Sequence, residues 1–210
     1  MPQTPAPWIV VTGLDGAGKT TLAGRLAVAA GAHFFRLPYH DFVPELLRRS
    51  GQGTPFGDVH TDRLIFAADA RLTNDLIRQW RRTHRCLVSQ RWWMDNYIFG
   101  AVQGMDYQAA NDLFRTAELE SASAIIYLLA DPAVAFARIE HDPGRDKYET
   151  AEFLAAQYQE TLRFREAVRG AAPYLSAFAG IAELLIDTTR QETDVVYQTA
   201  KSFLDDLRLL

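Results

Sequence analysis

Gly13-Leu14-Asp15-Gly16-Ala17-Gly18-Lys19-Thr20 carries the spacing G-x-x-x-x-G-K-[ST]. In such a turn, successive backbone N–H groups face inward around phosphate oxygens, and a following helix adds the positive end of its dipole. Lys19 is then placed to reach the β- and γ-phosphates of a nucleoside triphosphate, while Thr20 offers its hydroxyl to Mg²⁺. The expected ATP cradle therefore comprises Gly13, Gly16, Ala17, Gly18, Lys19, Thr20 and Thr21. A GTPase would add an N-K-x-D element, and a transporter-type ATPase an S-G-G-Q string; the sequence contains neither.

The turn works only between a buried strand and a helix. Trp8 to Thr12 is a short apolar, β-branched run, and Leu22, Leu26 and Ala29/Ala30 then recur at helical spacing up to Gly31. His33 to Leu37 reads as a second strand stopped by Pro38, Val43 to Ser50 as a short helix, and the stretch onward to Asp58 as a polar loop. Leu64, Ala67/Ala68, Leu72, Leu76 and Trp80 mark a long helix over 60–82, which leads into a strand from Cys86 to Ser89. Helices are expected over 95–102 and 107–120, a strand over Ala124 to Leu129, and a helix opened by Asp131-Pro132. The charged segment from His141 to Tyr148 reads as a loop, followed by a helix over 150–171, a strand over Leu184 to Ile186 and a helix over 193–207. Strands alternating with helices predict an α/β fold: a five-stranded, mainly parallel sheet flanked by helices on both faces, built as one domain over 1–210.

The composition narrows the partners. At 210 residues the chain is long enough to bury a core without disulfides or a structural metal, and its one cysteine, Cys86, fits a reducing compartment, the cytoplasm. A net charge of −4 argues against broad nucleic-acid binding. The longest strongly apolar run, Ala124 to Ala130, falls far short of a membrane span, and the opening Met-Pro-Gln-Thr-Pro-Ala-Pro is no secretory signal. His33, His40, His60, His84 and His141 lack zinc-ligand spacing, so the expected metal is Mg²⁺ arriving with ATP. Cys86 reads as a small buried hydrophobe.

Several separated blocks carry a resemblance. They are the phosphate loop with Asp15 two residues beyond Gly13; Arg36-Leu37-Pro38; Leu64-Ile65-Phe66-Ala67-Ala68-Asp69-Ala70-Arg71; Gln90-Arg91-Trp92 with Asn96 and Phe99; and Asp131-Pro132, Arg138 and Arg145-Asp146-Lys147-Tyr148-Glu149. In these blocks the sequence resembles the thymidylate kinase family of P-loop nucleoside monophosphate kinases, which transfer the γ-phosphoryl of ATP to thymidine monophosphate. The resemblance implies a P-loop kinase fold, with ATP and a nucleoside monophosphate as partners and a lid loop at about 141–149. It leaves a homodimer through the long helices open. By the same resemblance Asp15 lies between the donor and acceptor phosphates, where it helps Thr20 hold the metal, and Arg91 binds the acceptor phosphate. Arg36 and Pro38 lie beside the acceptor nucleotide, Phe66 stacks on its base, and Arg71 and Asn96 reach the base edge. Phe99 lies near the sugar, Tyr148 belongs to the acceptor side, and Arg145, with Lys147 or Arg138, closes over the transferring phosphoryl.

Four positions depart from the family pattern. Gln90 stands where an acidic residue precedes the arginine, and Arg71 lies five residues after Phe66 instead of four, a rotation of about 100° around a helix. Phe99 replaces a common Tyr, and His40 takes a place where some relatives have an Arg. The expected activity is ATP-dependent phosphorylation of dTMP or a related or modified pyrimidine deoxynucleotide. The alternatives are a nucleoside kinase, which needs a carboxylate base beside Arg91, and a nucleotide-binding regulatory protein without turnover.

Overall fold

The computed structural model describes residues 5–43, 46, 58–141 and 150–210. In chain order the elements are β1 (Trp8–Gly13), α1 (Lys19–Ala30), β2 (His33–Arg36), α2 (Val59–Thr83), β3 (Leu87–Gln90), α3 (Met94–Val102), α4 (Tyr107–Phe114), β4 (Ala124–Leu129), α5 (Pro132–Ile139), α6 (Ala151–Arg169), β5 (Ala182–Asp187) and α7 (Thr193–Asp206). The strands form one sheet in the order β2-β3-β1-β4-β5, and every pairing is parallel. The expected helix over Val43–Ser50 and the expected lid at about 141–149 lie largely outside the described residues.

Alternation along the strands builds two cores. In β1, Trp8 and Val10 face a layer with Phe35, Leu87, Ile125 and the helices α2, α3 and α4, while Ile9 and Val11 face α1, α5 and α7. Both faces of the central strand are buried, which is why β1 reads as a continuous apolar run. Each fully buried Ile or Leu contributes about 1.5–3 kcal/mol, so the paired layers fix the strand order and hold the strand ends at a common level. Trp8 anchors one layer: its ring meets Trp92 edge-on at 5.6 Å, and its Nε1 donates to Ser89 Oγ at 2.9 Å. The loops after β1 and β3 leave at the carboxyl ends of adjacent parallel strands, on the side where open α/β sheets bind ligands.

One expectation from the sequence is corrected. The helix expected over 107–120 ends at Phe114, passes through a 3₁₀ turn at Arg115–Ala117, and stops where Glu118 adopts φ 50°. Asn74 of α2 holds that turn: its Nδ2 donates to Glu118 O at 2.6 Å, and its Oδ1 accepts from Glu120 N at 2.7 Å. The long helix is found where it was expected, as α2. Its apolar spacing marks the helix but not the buried face, because Leu64 and Leu72 are each 53% exposed while Arg63, Asp69, Thr73 and Asn74 point inward. Among the described residues, no helix is long and apolar enough to cross a membrane. Replacing Asn74 by Ala leaves Glu120 N without its partner and should cost about 1–3 kcal/mol in urea unfolding. A change under about 0.5 kcal/mol would show that the turn is held by its other contacts.

Candidate active site

The turn from β1 into α1 is shaped by close backbone approach. At Gly13, φ 122°, a Cβ would stand 2.0 Å from Leu128 O, and at Gly16, φ 80°, it would stand 2.2 Å from Ala135 O. Any side chain there would push the turn away from β4 and α5. Asp58, Asp106, Asp131 and Thr150 cap α2, α4, α5 and α6 with side-chain oxygens, whereas no side chain caps α1. The first N–H groups of α1 are thus left for phosphate oxygens, as the motif requires. Beside the turn, a cavity of about 250 Å³ is lined by Gly16, Gly18, Thr21, Arg138, Thr188 and Val196.

Lys19, 4% exposed, donates from Nζ to Leu14 O at 2.8 Å and to Asp15 Oδ1 at 2.7 Å. The same Oδ1 accepts from Arg91 Nη2 at 2.6 Å. One carboxylate oxygen therefore joins the β1 turn to the end of β3. Burial alone would raise the Asp15 pKa, but Arg91 and Lys19 outweigh it and hold the carboxyl well below its ordinary 3.8. Burial also pulls the Lys19 ammonium down, with Asp15 opposing. Arg91 reaches this place from a left-handed backbone, φ 70°, and its guanidinium lies 5.4 Å above the Phe99 ring.

Asp95, on the first turn of α3, supports that strained step and was not foreseen from the sequence. Its Oδ2 accepts from Trp92 N at 2.9 Å, and Thr12 Oγ1 donates to both oxygens at 2.8 and 2.9 Å. Burial raises its pKa, while the Arg91 charge and the two hydrogen-bonding groups oppose the shift. The only sequence signal was an acidic residue in the first turn of a helix, which reads as ordinary capping.

Gln90 ends β3 as a buried amide. The register sets it beside Val11, and Thr20 Oγ1 donates to its Oε1 at 3.1 Å. With its proton committed to Gln90, the Thr20 hydroxyl keeps its lone pairs for a cation, so the arrangement fits Mg²⁺. The amide supplies that orientation without a negative charge.

The acceptor-side residues divide. Phe99 of α3 lies under the Arg91 guanidinium and stacks on Phe153 at 5.7 Å, whereas Asn96, also on α3, accepts from Arg63 Nη1 at 3.2 Å. Phe66 packs against the α2–α3 layer with the Arg63 guanidinium 4.6 Å above its ring. Arg71 is not brought to this group: it pairs with Asp75 at 2.8 Å and its side chain is 44% exposed. Arg36 ends β2 exposed, and Pro38 is half-buried in the turn that follows. His40 Nδ1 lies 2.9 Å from Asp69 Oδ1, and the same carboxylate accepts from the Tyr39 and His40 backbone N–H groups. Arg138 bonds Gly16 O, Thr188 O and Thr189 O, which makes it a wall of the cavity beside the turn. Arg145, Lys147 and Tyr148 lie outside the described residues. Cys86 is buried, and burial pushes its thiol up to about 11.

Sheet order, cradle and the Lys19–Asp15–Arg91 cluster define a P-loop nucleotide-binding protein of the AAA domain family, to which the chain belongs: that family's model matches residues 8–172. Within that class the chain is similar to thymidylate kinases. It is 24% identical over 200 residues to the probable thymidylate kinase of Methanocaldococcus jannaschii, covering 95% of this chain and 96% of that one. It is 28% identical over 149 residues to that of Pyrobaculum calidifontis, covering 70% of this chain and 76% of the relative. In fold it matches a solved thymidylate kinase from Candida albicans at a TM-score of 0.75 and 15% identity, over 98% of this chain and 93% of that chain.

A carboxylate with a depressed folded-state pKa adds stability that is complete above its unfolded value and is lost as pH falls toward the folded one. The stability difference between the parent and Asp15→Asn, from urea unfolding, should be full near about pH 6 and shrink as pH drops below 3.8. Asp95 shifts the other way but is present in both proteins and cancels. A difference unchanged down to about pH 3 would remove the electrostatic role given to Asp15.

Proposed function

We propose that the chain is an ATP-dependent nucleoside monophosphate kinase, which converts a pyrimidine deoxynucleoside monophosphate, dTMP or a related or modified one, to the diphosphate in the cytoplasm. The observation that carries this reading is the sharing of Asp15 Oδ1 by Lys19 of the donor cradle and Arg91 at the end of β3. Two cations from the donor and acceptor sides meet at one point, which is what in-line transfer between two phosphates requires. Similarity to probable thymidylate kinases over nearly the whole chain supports the acceptor class.

In this reading the cradle and the α1 N-terminus bind the β- and γ-phosphates, and Lys19 exchanges Asp15 for phosphate oxygens. Arg91 holds the acceptor phosphate so that one of its oxygens attacks the γ-phosphorus. A new P–O bond forms, the bond to the β-phosphate oxygen breaks, and ADP leaves. Mg²⁺ brought with ATP, held by the Thr20 hydroxyl and the Asp15 carboxylate, would supply positive charge at the phosphate oxygens. Asn96, Phe66 and Phe99 enclose the nucleoside, with Arg36, Pro38 and Tyr148 beside it. Arg145, with Lys147, adds a cation over the transferred group. Exposed Leu64 and Leu72 on α2 are the surface through which a homodimer would form.

A nucleoside kinase is not favoured. Its base would have to stand at the end of β3, where Gln90 is an amide; of the carboxylates nearby, Asp95 accepts from Thr12 and Trp92, and Asp15, held well below its ordinary pKa by Arg91 and Lys19, is a weak base.

ADP release should be stimulated by at least one of dTMP, dUMP and dCMP and more weakly by dGMP and dAMP, and Lys19→Ala should lower it by about 100-fold or more. A folded parent that binds ATP but is stimulated by no monophosphate would be a binding protein without turnover. In Gln90→Glu the buried charge should lower the melting temperature of the free protein and enlarge the rise produced by Mg²⁺ with ADP. An unchanged Mg²⁺-dependent rise would show that position 90 does not face the metal.

A further inference from the structure

Where β2 meets the last turn of α2, a set of rings packs together. His33, which opens β2, lies 4.4 Å from Trp80 and 4.6 Å from His84, the residue that closes α2. Trp80 in turn lies 5.1 Å from Phe35 and 5.3 Å from Tyr39. Among the described residues β2 pairs with β3 alone, as an edge strand of four residues. Its hold on α2 therefore rests on side chains: these rings and, in the turn that follows, the Asp69 carboxylate that accepts from Tyr39 N and His40 N.

Two of the rings titrate, and the corner offers them no counter-charge. His33 Nε2 is buried with no hydrogen-bond partner among the described residues. His84 Nδ1 faces Trp80 O at 3.3 Å and Thr83 Oγ1 at 3.0 Å. Among the described residues the histidines paired with carboxylates are His40 and His141, and neither lies here. The charged groups around the pair are Arg36 at the far end of β2, exposed Arg82 at this end of α2, exposed Arg85 on the way into β3, and Arg81, whose partner Glu120 is shared with Arg78.

A neutral His33 suits that place, because with its proton on Nδ1 it sets only a lone pair at the buried Nε2. A protonated ring would bury an N–H with no acceptor and put a charge beside His84. Cation–π attraction to Trp80 offsets part of that cost but supplies no acceptor. Burial, then the His84 charge, lowers the His33 pKa from its ordinary 6.5. A histidine kept neutral in this way contributes stability that is complete above about pH 6.5 and is lost as pH falls through the lower, folded-state value.

We propose that His33 and His84 form a pH-sensitive latch between the edge strand β2 and the end of α2. Neutral, their packing with Trp80 closes the corner; protonated, the rings part, the turn carrying Pro38 and Tyr39 loosens from α2, and acceptor binding weakens as the medium acidifies.

Imidazole NMR reads the latch directly. His33 should titrate below 6.5, and in His84→Gln, which removes the like charge, its midpoint should move up toward that value. Hydrogen exchange, corrected for its intrinsic pH dependence, should show protection of β2 and the last turn of α2 falling by about 10-fold or more between about pH 7.5 and 5.5 in the parent. Protection should stay level in His33→Phe, which keeps a ring and takes no charge. Should that variant fail to fold, the midpoints in the parent and His84→Gln decide. A His33 midpoint at or above 6.5, or protection of this corner that does not change, overturns the latch. Calorimetric affinity for dTMP falls with pH in any case, as the nucleotide phosphate takes up a proton, but over the same range the parent should lose about 10-fold more than His33→Phe. An equal loss in both overturns the effect on the acceptor. That effect, unlike the latch, rests on the monophosphate kinase reading, and failure to bind dTMP, dUMP or dCMP at either pH would be a failure of that reading.

Discussion

Lys19 is buried at the foot of the phosphate turn and needs a negative charge at the place where phosphate would bind. Asp15 Oδ1 supplies it, and accepts from Arg91 at the same time. A buried ammonium without a partner would be strongly penalised, so the carboxylate stands in for the phosphate and keeps both cations placed and charged. The rest of the architecture can be traced from this shared oxygen. The β1 turn and the end of β3 must emerge at one level, which the parallel register between β1 and β3 provides. The turn must come close to β4 and α5, which Gly13 and Gly16 allow.

Arg91 reaches the shared oxygen only from a left-handed backbone, which costs an ordinary residue about 1–2 kcal/mol. The compensation is local and polar. Ser89 Oγ donates to Arg91 O at 3.1 Å, Asp95 takes the next N–H, and Thr12 ties Asp95 back to β1. Trp8 closes the set by donating to that same Ser89 hydroxyl, so the apolar layer and the strained step are one assembly. Asp95 is thus a positioning residue: it sets the backbone from which Arg91 extends, and both of its oxygens accept hydrogen bonds in doing so.

Legibility in the sequence followed the kind of interaction that each feature depends on. Strands buried on both faces, the glycines of the turn and the Pro-opened helix were readable, because each rests on local backbone chemistry or on a short apolar run. The turn from β1 into α1 was readable for the same reason, since it is contiguous in the chain. What was not readable depends on partners distant in sequence. The end of α4 is set by Asn74, more than forty residues away, and no local signal marks the stop at Glu118. Asp95 matters because Thr12 happens to face it across two elements.

The α2 helix shows how an apolar stripe can mislead about the face that carries function. Leu64 and Leu72 advertise a buried side, yet the inward face near the site carries Arg63, Phe66, Asp69 and Thr73. At 100° per residue, the position four beyond Phe66 shares its face, and here that position is Ala70, which is completely buried. One residue further, Arg71 is turned away and meets Asp75. Three residues before Phe66 lies only about 60° away around the helix, and Arg63 occupies that position. From there its guanidinium lies over the Phe66 ring and bonds Asn96 and Gln103. An arginine among core-facing residues was the available sign, hidden because amphipathic reading ranks faces by apolar content, and a site-facing stripe must be partly polar.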